Sequence, residues 1–212
     1  VNGASPLSVS AITKGPFGWI FFISLDHDPG HLELSPSDSG HPISAIFKCR
    51  PDGSSIQKIA TGFNHPKDLI FDAHGNLFTS DEGKEITGKP RCIHVTQGAD
   101  YGYRKPNHQE SNVSPLLTYR SETLPQGMDM QRPFQHIENL PPSRSKQSPT
   151  QRFIACGSGK SSKKIYAFSL TLKNGSFQLT NLNQWNLNLS PNEMTLSPDG
   201  ELYMTKLINA RD

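Results

Sequence analysis

A short strand, a tight glycine-bearing turn and a second short strand recur along this chain, and the recurrence limits the fold more than any single residue does. Asp72-Ala73-His74-Gly75-Asn76 lies between apolar runs at 67–71 and 77–80. Asp can bond the backbone two residues on, and Gly supplies the positive φ of such a corner. A Gly-containing loop of a few residues between strand-like runs is a hairpin signal. Gly15-Pro16-Phe17-Gly18, followed by Trp19-Ile20-Phe21-Phe22, is a second copy. Ser197-Pro198-Asp199-Gly200, followed by Glu201-Leu202-Tyr203, is a third. The turn glycines stand 57 residues apart (18 to 75) and then 125 apart (75 to 200), so one degenerate copy fits in the longer gap. Strand-turn-strand units at periods of ~40–50 residues mark propeller blades, and long loops stretch the period. The expectation is an all-β fold: a β-propeller of four-stranded blades, about three to four of them present, in one partial domain over residues 1–212.

The predicted blades span 8–60, 66–120 and 130–182, with the start of a fourth at 192–207. The first holds strands at 9–13, 19–24, 45–49 and 56–60, with Arg50-Pro51-Asp52-Gly53 turning between the last two. The second holds 67–71, 77–80, 92–95 and 116–119. The third shows 153–156, 164–170 and 176–180, with Asn174-Gly175 as a two-residue hairpin turn. The polar, Pro-rich stretch 141–149 reads as a surface loop inside that blade, because the strand pattern resumes after it. Runs at 193–196 and 201–205 open the fourth, and no amphipathic helix is expected. Long polar loops at 26–42 and 81–90 fall at matching places, which predicts a functional rim, since loops on a rigid scaffold carry function.

Composition excludes several classes. Apolar residues make up 33%, with 17 Gly and 17 Pro, as suits a loop-rich all-β chain. Net charge is +2, and the basic residues are scattered apart from a cluster at 160–164. That is no nucleic-acid footprint. No apolar run reaches the ~18 residues of a membrane-spanning helix. The opening Val1-Asn2-Gly3 has no leader layout, and both ends read as cuts through a longer repeat array. Cys49, Cys92 and Cys156 are odd in number and far apart, so they give neither a zinc pattern nor a disulfide framework. Buried thiols are expected, since free Cys packs as a small hydrophobe.

Two stretches together carry a resemblance. One is Gly15-Pro16-Phe17-Gly18-Trp19-Ile20-Phe21-Phe22-Ile23-Ser24-Leu25-Asp26. The other runs from Thr61-Gly62-Phe63-Asn64-His65-Pro66 through Asp72-Ala73-His74-Gly75-Asn76 to Gly98-Ala99-Asp100-Tyr101-Gly102-Tyr103. They resemble the six-bladed propeller family of soluble quinoprotein glucose dehydrogenase and sorbosone dehydrogenase. Arg50-Pro51-Asp52-Gly53 and Arg91-Cys92-Ile93-His94-Val95 lean towards its membrane-associated branch, whose members often add a c-type haem domain; this chain has no Cys-x-x-Cys-His haem motif. The likeness covers residues 10–105 well and 150–207 weakly.

The resemblance implies pyrroloquinoline quinone and calcium on one propeller face and oxidation of a sugar or alcohol hydroxyl. An electron-acceptor protein and an extracellular or periplasmic location follow from the family too. Asp26 aligns with an Asp that holds a catalytic His, a residue suited to take the hydroxyl proton because its pKa lies near working pH. That His falls near Leu7 by the family's spacing, and no His occurs between Val1 and Leu25. His27 and His31 are the candidates to replace it. Asn64 and His65 stand where the family has a cofactor-facing Arg-Asn. Gly83 and Lys84 align with two backbone carbonyls that bind calcium, which favours such oxygen donors.

Plainer roles stay open for several of these residues. Asp81-Glu82-Gly83 can be a polar turn, His65 a backbone partner, and His94, Trp19 and Trp185 packing residues. The alternative function is a non-catalytic propeller that binds a protein or glycan.

Overall fold

The computed structural model describes residues 8–25, 44–81, 91–101, 134–140, 151–157, 164–173, 176–189 and 191–206. The described residues are nearly all strand and contain no α-helix. The first sheet runs through β1 (Ser8–Lys14), β2 (Ile20–Leu25), β3 (Ser44–Cys49) and β4 (Gln57–Phe63), each antiparallel to the last. The second holds β5 (Leu69–Phe71), β6 (Leu77–Asp81) and β7 (Arg91–Val95). A two-residue strand, β8 (Ala99–Asp100), then returns to the first sheet and pairs parallel with β4. The third sheet is β9 (Phe134–Asn139), β10 (Gln151–Gly157), β11 (Lys164–Lys173) and β12 (Ser176–Asn186). β13 (Pro191–Leu196) and β14 (Leu202–Lys206) form the fourth.

The recurring turns share one spanning hydrogen bond and one glycine position. The amides of Gly15, Arg50, Asp72 and Ser197 each donate to the carbonyl four residues on, at 2.8–2.9 Å. In each, the fourth residue is a glycine with positive φ: Gly18 at 75°, Gly53 at 82°, Gly75 at 83° and Gly200 at 90°. An L side chain rarely adopts that conformation, so glycine is required there. Residues 141–150, between β9 and β10 of the third sheet, include the Pro-rich stretch expected as a surface loop and lie outside the described residues. Where the two strands meet that segment, the Leu140 amide donates to the Arg152 carbonyl at 2.8 Å.

Period-two alternation decides how the sheets stack. Ile23, Ile46, Ile59 and Phe63 of the first sheet form one buried cluster with Leu69, Leu77, Ile93 and Val95 of the second. On β6 the next residue, Phe78, points the other way and joins Phe153, Ala155, Tyr166, Phe168 and Leu170 of the third. On β10 the intervening Ile154 and Cys156 turn to Met194 of the fourth, with Leu196 and Leu202 at the margin. Successive sheets are thus buried on both faces, as alternate side chains of a strand point to opposite sides.

Several expectations need correction. β9 and β8 were not among the predicted strands. Trp185 is 48% exposed on β12 rather than packed between sheets. Of the cysteines, Cys156 is buried and Cys49 and Cys92 are only partly so; all three are free thiols. The predicted strand at 116–119 lies outside the described residues.

Candidate functional site

The turns at 15–19 and 72–76 share one end of the first two sheets. A Cβ built on Gly75 would lie 3.7 Å from the Pro16 ring, and the Phe21 and Phe71 rings meet edge-on at 4.9 Å. β2 and β6 both run away from these turns, to Leu25 and Asp81. β4 runs the same way, since it is antiparallel to β3 and β3 to β2. Phe63, opposite Ser44, therefore ends at the same far edge. Asn64 and His65 follow it directly.

That edge is polar and covered. Ser24, Ser44, Asn64, Ser80 and Asp81 are all buried there, Asp81 completely. Buried polar groups need hydrogen bonds, and backbone bonds tie the edge together. The Lys67 amide donates to the Ser80 carbonyl at 3.0 Å. The Thr79 hydroxyl donates to the Asp68 carbonyl at 2.6 Å, and the Ser10 hydroxyl to the Pro66 carbonyl at 3.2 Å.

His65 is exposed and holds φ at +57°. A residue before proline is normally extended, so this left-handed conformation is doubly uncommon. Such outliers cluster at functional sites. The His65 Nδ1 lies 3.0 Å from the Asn64 amide oxygen. With the proton on Nδ1, that nitrogen donates to Asn64 and Nε2 becomes the basic nitrogen. In that tautomer the buried Asn64 amide orients an exposed imidazole, an arrangement able to accept a proton from a bound hydroxyl.

The structure brings Asn64 and His65 together at this edge. Asp26, His27, His31, Gly83 and Lys84 lie outside the described residues, though the chain enters both of their segments from this edge, at Leu25 and Asp81. The wholly buried position of Asp81 was not foreseen, and nothing local in Leu77-Phe78-Thr79-Ser80-Asp81 signals it. Among the described residues no three His, Cys, Asp or Glu side chains gather into a metal-binding cluster.

His94 is a packing residue, as expected. Its ring lies 5.3 Å from Phe78 and 4.9 Å from Phe177, between the second and third sheets. Burial lowers its pKa, and the Asp72 carboxylate offsets this in part. Trp19 is partly buried beneath Lys48 and Arg50, whose charged groups stand 4.7 and 4.1 Å from its ring.

No family model matches the chain, and no curated protein sequence matches it. Among solved structures it is similar to an oxidoreductase of Thermus thermophilus that is provisionally named a glucose dehydrogenase. Identity is 19% and the TM-score 0.59, over 92% of this chain and 58% of that one. At this identity the likeness is one of fold. The chain spans little more than half the length of that protein.

Proposed function

We infer that the chain carries the scaffold and the cofactor-side rim of a propeller dehydrogenase of the quinoprotein glucose/sorbosone type, oxidising a sugar or alcohol hydroxyl. One observation carries the reading: β2, β4 and β6 end at a single polar edge, where the Asn64 amide oxygen lies 3.0 Å from His65 Nδ1. In this reading the four stacked sheets are consecutive blades, an arc of a six-bladed ring. The fold likeness to a protein named as an oxidoreductase supports it.

Calcium suits the donors at hand. The buried carboxylate of Asp81 and the backbone carbonyls of Gly83 and Lys84 are hard oxygen ligands of the kind this ion takes. Pyrroloquinoline quinone, when bound, would supply the hydride-accepting carbonyl. Its carboxylates find a weaker partner here than in the resembled family, because Asn64 offers an amide where a guanidinium fork would pair bidentately. In the oxidation, a substrate hydroxyl yields its proton to an imidazole nitrogen, at His65 Nε2 or at His27 or His31. Asp26 orients that base where it lies in reach. A secreted or periplasmic setting and an electron-acceptor protein belong to the same reading.

A second reading has a specific observation behind it. His65 and Asn64 hydrogen-bond to each other, in place of the cationic contact the quinone would use. A propeller that kept the scaffold and binds a protein or glycan would need nothing more. Dye-linked oxidation of a sugar and alcohol panel, with calcium and pyrroloquinoline quinone added, separates the two. Turnover that falls in His65→Gln supports the dehydrogenase; silence across the panel supports the binding propeller.

A further inference from the structure

The turn between β1 and β2 departs from its three counterparts at one position. Phe17 and Gly18 both have positive φ, 56° and 75°, and the Trp19 amide closes the corner on the Pro16 carbonyl at 3.3 Å. Two successive positive φ values are the type I′ arrangement, whose first central position suits Asn, Asp or Gly. A bulky aromatic there is a backbone outlier. The other three turns place Asp52, His74 and Asp199 at the matching position, and none of these has positive φ. Phe17 is also 95% exposed. The repeat thus supplies its own control: one copy in four holds an aromatic ring out in water on a strained backbone. Local choices that conflict with both packing and backbone preference mark functional positions.

The surroundings are cationic. Lys14 is exposed at the end of β1, directly before the turn. Lys48 and Arg50 flank the indole of Trp19, two residues beyond Phe17. Asp52 is the acidic residue of the adjoining turn. An apolar tip among cations fits an anionic partner. Among the described residues, Ile12 on β1 and Ile56 before β4 are the other large apolar side chains exposed towards this end of the first sheet, too few for the apolar centre of a protein interface of ~800 Å² per partner. A lipid surface moulds itself around a single protrusion. Aromatic rings settle at headgroup depth, and Lys and Arg draw the surface to anionic lipids.

The geometry points to a peripheral membrane-docking site, in which Phe17 enters the headgroup layer of an anionic bilayer while Lys14, Lys48 and Arg50 engage its phosphates. The turn lies at the opposite end of the first two sheets from Asn64 and His65, so docking leaves that polar edge facing away from the lipid. One ring and three cations give reversible attachment, not anchoring.

Co-sedimentation with vesicles tests this, using phosphatidylcholine alone and phosphatidylcholine mixed with phosphatidylglycerol. The wild-type protein is expected to pellet with the mixed vesicles and not with the neutral ones. Phe17→Asn relieves the backbone, so it folds at least as well, and its partition into mixed vesicles should fall by about tenfold. Arg50→Glu and added salt should weaken binding, and Phe17→Trp should keep it. Equal recovery with the two lipids, or unchanged binding by Phe17→Asn, overturns the proposal; a photo-crosslinker at position 17 that captures a protein instead would do the same.

Discussion

The hydroxyl of Tyr101 donates to the carbonyl of His94 at 2.7 Å and accepts the Thr96 amide at 2.9 Å. The same ring packs on Phe63 of β4, with centroids 4.9 Å apart. One side chain thus closes the end of β7 in the second sheet and seals the first. Gly98-Ala99-Asp100-Tyr101 is therefore a structural staple, set by the short parallel pairing of β8 with β4.

Tyr101→Phe keeps the ring and removes both backbone contacts. Leaving two buried backbone groups unmade costs roughly 1–3 kcal/mol. Urea unfolding of the variant should show that loss, while Tyr101→Ala should lose about 3–5 kcal/mol through the cavity as well.

Gly15 and Gly53 are needed for different reasons. Gly15 has φ near −100°, open to any residue, but a Cβ there would run into the Phe21 ring and sit 2.9 Å from Phe71. Gly15→Ala should destabilise by roughly 1–3 kcal/mol through overpacking between sheets. At Gly53 a Cβ meets open space and only the φ of +82° resists it. Gly53→Ala should cost roughly 1–2 kcal/mol. Pairing Gly15→Ala with Phe21→Leu should recover stability; pairing Gly53→Ala with it should not.

His94 makes stability depend on pH with a defined sign. Burial holds its native pKa below the ordinary 6.5. Between the two values the unfolded chain binds more protons than the native one, so stability rises with pH across that window. The contribution is complete above about 6.5 and is lost as pH falls through the lowered native value. Melting temperatures recorded from neutral to mildly acid pH should drop more steeply for wild type than for His94→Gln.

The thiols should be slow to react. Although Cys92 as a residue is only partly covered, burial of its thiol pushes the pKa to about 12, and Cys156 is buried; a thiol must ionise to act as a nucleophile. Titration with a disulfide reagent at mildly alkaline pH should leave both unmodified in the native protein and find them in urea.

How much of this could be read beforehand follows from where the information lies. The glycine corners were legible because positive φ restricts the residue type, so Gly18, Gly53, Gly75 and Gly200 stand out in letters as they do in space. The strands beside them followed from alternation. β9, Phe134-Gln135-His136-Ile137-Glu138-Asn139, was missed because the sequence after it, 141–150, carries no glycine signal. β8 escaped because a two-residue parallel pairing has no pattern of its own. At the candidate site, Asn64 and His65 were found through a resemblance, yet neither the left-handed backbone of His65 nor the burial of Asp81 has a local sequence cause. Both come from the meeting of two sheets whose residues are far apart in the chain.

We propose that the edge shared by β2, β4 and β6 holds calcium and a carboxylated quinone. Calorimetric titration of the protein with calcium, then with pyrroloquinoline quinone, tests it most directly. Calcium should bind saturably and more weakly in Asp81→Asn, and the quinone should bind only with calcium present and about tenfold more weakly in Asn64→Ala, the loss of one good hydrogen bond to a charged group. Absence of binding heat for either ligand, or binding that both variants leave untouched, would contradict it.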